Sequence, residues 1–166
     1  MVIDILRRIG LIVLFVLVQA LVLNRIHLFA CATPLLFVYF IILYPSTMPR
    51  WAGLILAFIL GLSIDAANNT PGLAAFSLTL TAFVQSYLLP LYLDKEDTMS
   101  TFYPSIASMG WMKYLSYAFV LTFLFTFTYF TLEAFNFYHW LHWLMSVAGS
   151  WLLTFLLIIT IDCVKR

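Results

Sequence analysis

Six stretches of this chain carry no charged residue, and each is long enough, or nearly so, to cross a lipid bilayer as a helix. They are Ile9–Leu23, Leu28–Tyr44, Trp51–Ile64, Gly72–Leu89, Tyr114–Leu132 and Trp143–Ile161. A bilayer core of about 30 Å needs roughly 20 helical residues at 1.5 Å each. The first and third stretches are short by that count. Extending the first to Asn24 and the third through Asp65–Asn68 lengthens both and leaves polar groups at their far ends. The predicted helices therefore cover about 9–23, 28–44, 51–66, 72–89, 114–132 and 143–161. A water-soluble alternative fails on area. The chain has 166 residues, 64% of them hydrophobic and 9% charged, and a soluble domain of this size has too little interior to hide that much apolar surface. The expected fold is all-α: one integral membrane domain over residues 1–166, a six-helix transmembrane bundle.

The few charges set the orientation. With the N-terminus inside, the inner segments hold Arg7, Arg8, Arg50, Lys95, Lys113, Lys165 and Arg166, and the outer segments hold only Arg25. That asymmetry requires an even number of spans and places both termini in the cytoplasm. Met1–Arg8 followed by an apolar run is the pattern of a signal peptide. No small-x-small site follows at the right place, so the expectation is an uncleaved first helix. Leu28-Phe-Ala-Cys31 is a poor lipoprotein box, with Phe29 ill-suited and Arg25 and His27 interrupting the preceding run. Cys31 and Cys163 fall on opposite faces and are not expected to pair. No basic run is present for nucleic acid and no acidic tail.

The links are short. Asn24–His27, Pro45–Arg50 and Asp65–Pro71 are tight connections, with Pro45 and Pro49 stopping and restarting helices. Thr70-Pro71 reads as a helix N-cap followed by proline at the first helical position. The longest connection, Pro90–Lys113, is inner and has room for a short surface helix or a binding loop. Its Lys95 and Lys113, with Arg50, suit acidic patches of a cytosolic protein or, the commoner case, lipid head groups.

Within the spans, small and polar residues recur every four positions. Gly53, Ala57 and Gly61 make a small-x-x-x-small stripe that lets another backbone approach closely. Ser77, Thr81 and Gln85 make a second stripe, and Ser146, Ser150 and Thr154 a third. All are expected to face protein rather than lipid, either inside the bundle or against a partner's transmembrane helix. The fifth stretch, with Phe119, Phe123, Phe125, Phe127 and Phe130, is bulky all round.

The polar insert Asp65-Ala-Ala-Asn-Asn-Thr-Pro-Gly72 stands between two apolar stretches. A carboxylate at membrane depth is costly and normally has a function. Two readings of Asp65 stand: a hydrogen-bond hub for a broken helix end or a partner's cation, and a charge at the wet outer interface. Asn68, Asn69 and Thr70 fit helix caps and turns. His27, His139 and His142 all fall on the outer side. His139-x-x-His142 has helical ligand spacing, but its neighbours Tyr138, Trp140 and Trp143 read as an interfacial aromatic belt rather than a metal site. Enzymatic chemistry needs convergent groups, and no serine elbow, His-Glu-x-x-His, paired intramembrane aspartates or phosphate loop occurs. No cofactor and no metal are expected.

The run Gly61-Leu-Ser-Ile-Asp65, followed by Asn69-Thr-Pro71-Gly72-Leu-Ala-Ala75, resembles the MreD family of bacterial rod-shape-determining membrane proteins. That family has a comparable Gly-Leu-x-x-Asp segment and then a Pro-Leu-Gly-like turn opening a helix. This chain has Asn-Asn-Thr-Pro-Gly where Pro-Leu-Gly is more usual. Size and the six-stretch hydropathy agree along the whole chain. The resemblance implies a non-enzymatic subunit of the elongation machinery in the bacterial cytoplasmic membrane. Its implied partners are an MreC-like protein, RodA with a class B penicillin-binding transpeptidase, and the MreB cytoskeleton. The implied fold is similar to the S components of energy-coupling-factor transporters. Gly61, Asp65, Pro71 and Gly72 match the family motif, and the resemblance gives none of them a catalytic role. The competing expectation is a solute-binding transporter subunit with a closed pocket near the outer face, lined by Asp65, Asn68, Asn69 and aromatic groups.

Overall fold

The computed structural model describes residues 35–45, 49–70, 72–92, 104–134 and 140–164. Among them every regular element is a helix. A short helix α1 spans Val38–Ile42 and is followed by α2 over Arg50–Asn68 and α3 over Leu73–Tyr92. A second short helix, α4, spans Ile106–Met109 and leads into α5, Trp111–Glu133, and α6, Trp140–Val164. Four of these, α2, α3, α5 and α6 (the last counted from Trp143), are long and apolar enough to cross a membrane.

The burial pattern is inverted relative to a soluble protein. Asp65, Ser77, Thr81, Gln85, Thr122, Thr126, Ser146, Ser150, Thr154 and Asp162 are buried. Trp51, Ile55, Phe58, Ile59 and Leu62 are exposed along one side of α2, and Phe76, Phe83, Tyr87 and Leu91 along α3. Water would penalise that arrangement, whereas hydrocarbon makes the exposed apolar faces neutral and drives polar groups inward. The chain is a membrane-embedded helical protein.

The long helices alternate in direction. Arg50 at the start of α2 places its guanidinium 5.1 Å from the centre of the Tyr87 ring near the end of α3. Tyr92, the last residue of α3, meets Tyr117 near the start of α5, with ring centroids 5.9 Å apart. The chain order is also the packing order: α2 on α3, α3 on α5 and α5 on α6. The short helix α1 packs against α3 and α5, and Leu35, Phe37, Val38, Tyr39, Ile41 and Ile42 are all buried. The Phe37 ring meets Phe125 of α5 edge-on at 5.1 Å, a favourable aromatic geometry.

A buried helix end in an apolar medium must find partners for its unpaired backbone groups. Around α1 two of them, Thr154 and Gln85, come from the predicted polar stripes, and Tyr117 of α5 adds a third. Leu35 N–H donates to Thr154 Oγ1 of α6 at 3.1 Å. At the other end, the carbonyl of Ile42, the last residue of α1, accepts from the Tyr117 hydroxyl at 3.4 Å, and just beyond it the Tyr44 carbonyl accepts from Gln85 Nε2 at 3.4 Å. Pro45 follows and cannot continue the helix. Other hydroxyls are satisfied within their own helices: Ser77 donates to the Leu73 carbonyl, Thr81 to Ser77 and Thr126 to Thr122. This back-bonding removes a hydroxyl's cost without any ligand.

Several sequence expectations change here. The helix over 51–66 extends to Arg50–Asn68, and the one over 114–132 to Trp111–Glu133. The 143–161 helix extends to Trp140–Val164. The 72–89 helix begins at Leu73 and runs through Pro90 to Tyr92, because Pro90 is exposed in the last turn, where one lost hydrogen bond is tolerated. The connection from Pro90 to Lys113 is thus shorter than expected. The helix it contains is not a surface one: Ile106 and Met109 of α4 are buried in the core. Within the expected 28–44 helix, the described part is helical only over Val38–Ile42. The helix expected over 9–23 lies outside the described residues.

Gly61 fixes the closest helix approach. A methyl group there would lie 2.3 Å from Ala75 Cα and 2.6 Å from Ala75 N, both backbone atoms of α3. At Gly53 the same methyl would meet Tyr44 Cε1 at 3.0 Å, a side-chain ring able to shift. Gly61→Ala is therefore expected to destabilise the protein by about 1–3 kcal/mol through overpacking, and Gly53→Ala by clearly less. Equilibrium unfolding in micelles or bicelles measures both, and the reverse order would refute this packing assignment.

Candidate functional site

The most specific polar arrangement is at the α2–α3 junction. Helix α2 ends with Asn69 in the left-handed region, φ 54° and ψ 34°, a conformation that asparagine tolerates better than most residues. The Asn69 and Thr70 N–H groups both return to the Asp65 carbonyl, the latter at 3.1 Å. Gly72, at φ +78° with open space around it, makes the second bend, so its requirement is conformational rather than steric.

The Asp65 carboxylate then closes the junction. Its Oδ1 accepts from the Thr70 hydroxyl at 2.7 Å and from Ala74 N–H at 2.9 Å. Its Oδ2 accepts from Ala75 N–H at 2.9 Å. Ala74 and Ala75 are the second and third residues of α3, whose first-turn N–H groups have no partner inside the helix. A carboxylate there also meets the positive end of the helix dipole. Asp65 is only 4% exposed. Its main chain thus ends one helix while its side chain starts the next, so the geometry is that of a hydrogen-bond hub rather than of a solvated charge. Thr70 is not the cap expected from the sequence. The first helical residue is Leu73, the capping acceptor arrives from Asp65, and Thr70 serves as a donor to that same carboxylate.

The other expected site residues fall as follows. Gly53, Ala57 and Gly61 are all buried within the chain, Gly61 on α3 and Gly53 on Tyr44. Ser77, Thr81 and Gln85 are buried on α3, with Gln85 turned to α1. Pro71 lies outside the described residues, as do Cys31, His27 and His139; of His142 only the helical backbone is described. Among the described residues, no three His, Cys, Asp or Glu side chains come together. In α5, Phe125 and Phe130 are buried while Phe119, Phe123 and Phe127 face outward, so its bulk serves both the core and the periphery.

The sequence reading missed a second buried carboxylate. Asp162 of α6 is 5% exposed. Its Oδ1 accepts from the Tyr39 hydroxyl at 3.3 Å and its Oδ2 from Ile106 N–H, the first of α4, at 2.8 Å. Ending the sixth stretch at Ile161 leaves Asp162 among the terminal polar residues. The signal that would have found it is spacing: Ser146, Ser150 and Thr154 extend at the same four-residue step through Ile158 to Asp162.

Comparison with models of known protein families, with curated proteins and with solved structures found no match.

Asp65→Ala leaves two buried N–H groups and the Thr70 hydroxyl without their acceptor. The expected cost is about 3–6 kcal/mol, at one to two per lost partner. Thr70→Val removes one donor and should cost about 1 kcal/mol. Hydrogen exchange at Ala74 and Ala75 should accelerate in the first variant and change little in the second. Unchanged protection in Asp65→Ala would show that the carboxylate does not hold the start of α3.

Proposed function

We propose that this chain is a non-enzymatic scaffold subunit of a bacterial cell-elongation complex, of the kind the MreD family supplies. The observation that carries the reading is the use of the motif residues. Gly61, Asp65 and Gly72, on which the resemblance to that family rests, build a rigid helical hairpin: close approach at Gly61, a bend at Gly72 and a carboxylate clasp between them. A motif consumed in shaping a hairpin suits a protein whose product is a surface rather than a reaction.

That use also selects the partner surface. The Gly53/Ala57/Gly61 stripe is occupied inside the chain, so a partner helix docks on the opposite side of the hairpin, along Trp51, Ile55, Phe58, Ile59 and Leu62. The occupant on this reading is the single transmembrane helix of an MreC-like protein. Through it, or beside it, come RodA with its class B transpeptidase and, indirectly, MreB, in support of lateral peptidoglycan synthesis and cell shape. The reading carries a six-helix bundle similar to the S components of energy-coupling-factor transporters. It also places the protein in the bacterial cytoplasmic membrane with both termini in the cytoplasm. Arg50 and Lys113 start α2 and α5 at one end of the bundle, and the bias of basic residues toward the cytoplasm assigns that end inward.

A photo-crosslinking amino acid at Phe58 or Ile59, followed by affinity purification and mass spectrometry, is expected to capture an MreC-like protein and cell-wall synthases. The same group at Leu152 or Leu156 of α6 should not. Co-purification of an ATPase pair with a small molecule would replace this reading with a transporter subunit. Orientation is checked separately: Cys163 is exposed. In a Cys31→Ser background, a membrane-impermeant maleimide should label it in inverted vesicles and spare it in spheroplasts.

A further inference from the structure

We draw no further inference here: the strongest candidate, the outward aromatic face that Phe119, Phe123 and Phe127 of α5 form with Trp151 of α6, is an exposed apolar surface, and nothing in the structure shows what covers it.

Discussion

Every helix that ends inside a membrane protein leaves N–H and C=O groups that hydrocarbon cannot satisfy, and that constraint organises this structure. Among the described residues, the polar side chains that reach between segments are used to meet it. Asp65 accepts the first N–H groups of α3, and Asp162 the first N–H of α4. Thr154 receives the N–H of Leu35, and Tyr117 and Gln85 donate to carbonyls at and just past the end of α1. The apolar packing then needs only to be complementary. With lipid on the outside there is little hydrophobic gain in bringing helices together, so close backbone approach and these few bonds carry the specificity.

The clasp at Asp65 explains why a motif can look catalytic and yet be architectural. An acid, a threonine and two glycines within a short segment are also the parts of many active sites. Here each serves the backbone. The acid caps, the threonine donates to the acid, Gly61 permits approach and Gly72 permits the bend. The carboxylate's three bonds to Thr70, Ala74 and Ala75 occupy most of its accepting capacity. Asp162 serves the backbone in the same way on a smaller scale, accepting from the Tyr39 hydroxyl and from the first N–H of α4.

Much of the architecture was legible because hydropathy at span length is a strong signal. The helices α2, α3, α5 and α6 coincide with four of the expected stretches, differing at their ends by a few residues. The four-residue stripes were legible too, because side chains at that step share one face of a helix. What could not be read was which partner each stripe meets. Gly61 on Ala75 and Gln85 on the Tyr44 carbonyl join residues far apart in sequence, and spacing within one helix carries no information about another. The cap on α3 was misassigned for the same reason. Local chemistry pointed to Thr70, whereas the acceptor comes from the end of the preceding helix. Asp162 was missed because an acid at the end of an apolar stretch looks solvated until a second segment is seen folding over it.

The inverted burial bears on how such a chain can work. Among the described residues, many hydroxyls are back-bonded inside their own helices and the small-residue stripe of α2 is buried within the chain, while α2 and α3 present long apolar faces. Apolar faces gain nothing by leaving lipid for another apolar surface unless shape is matched, so the helix-partner role proposed above would depend on rigidity. The hairpin supplies that rigidity at both ends: the Asp65 clasp at one, and Arg50 over the Tyr87 ring with Gly53 against Tyr44 at the other. A partner helix seated on α2 would meet a face whose orientation is set by those contacts. Loosening either end would then weaken association without changing any residue the partner touches.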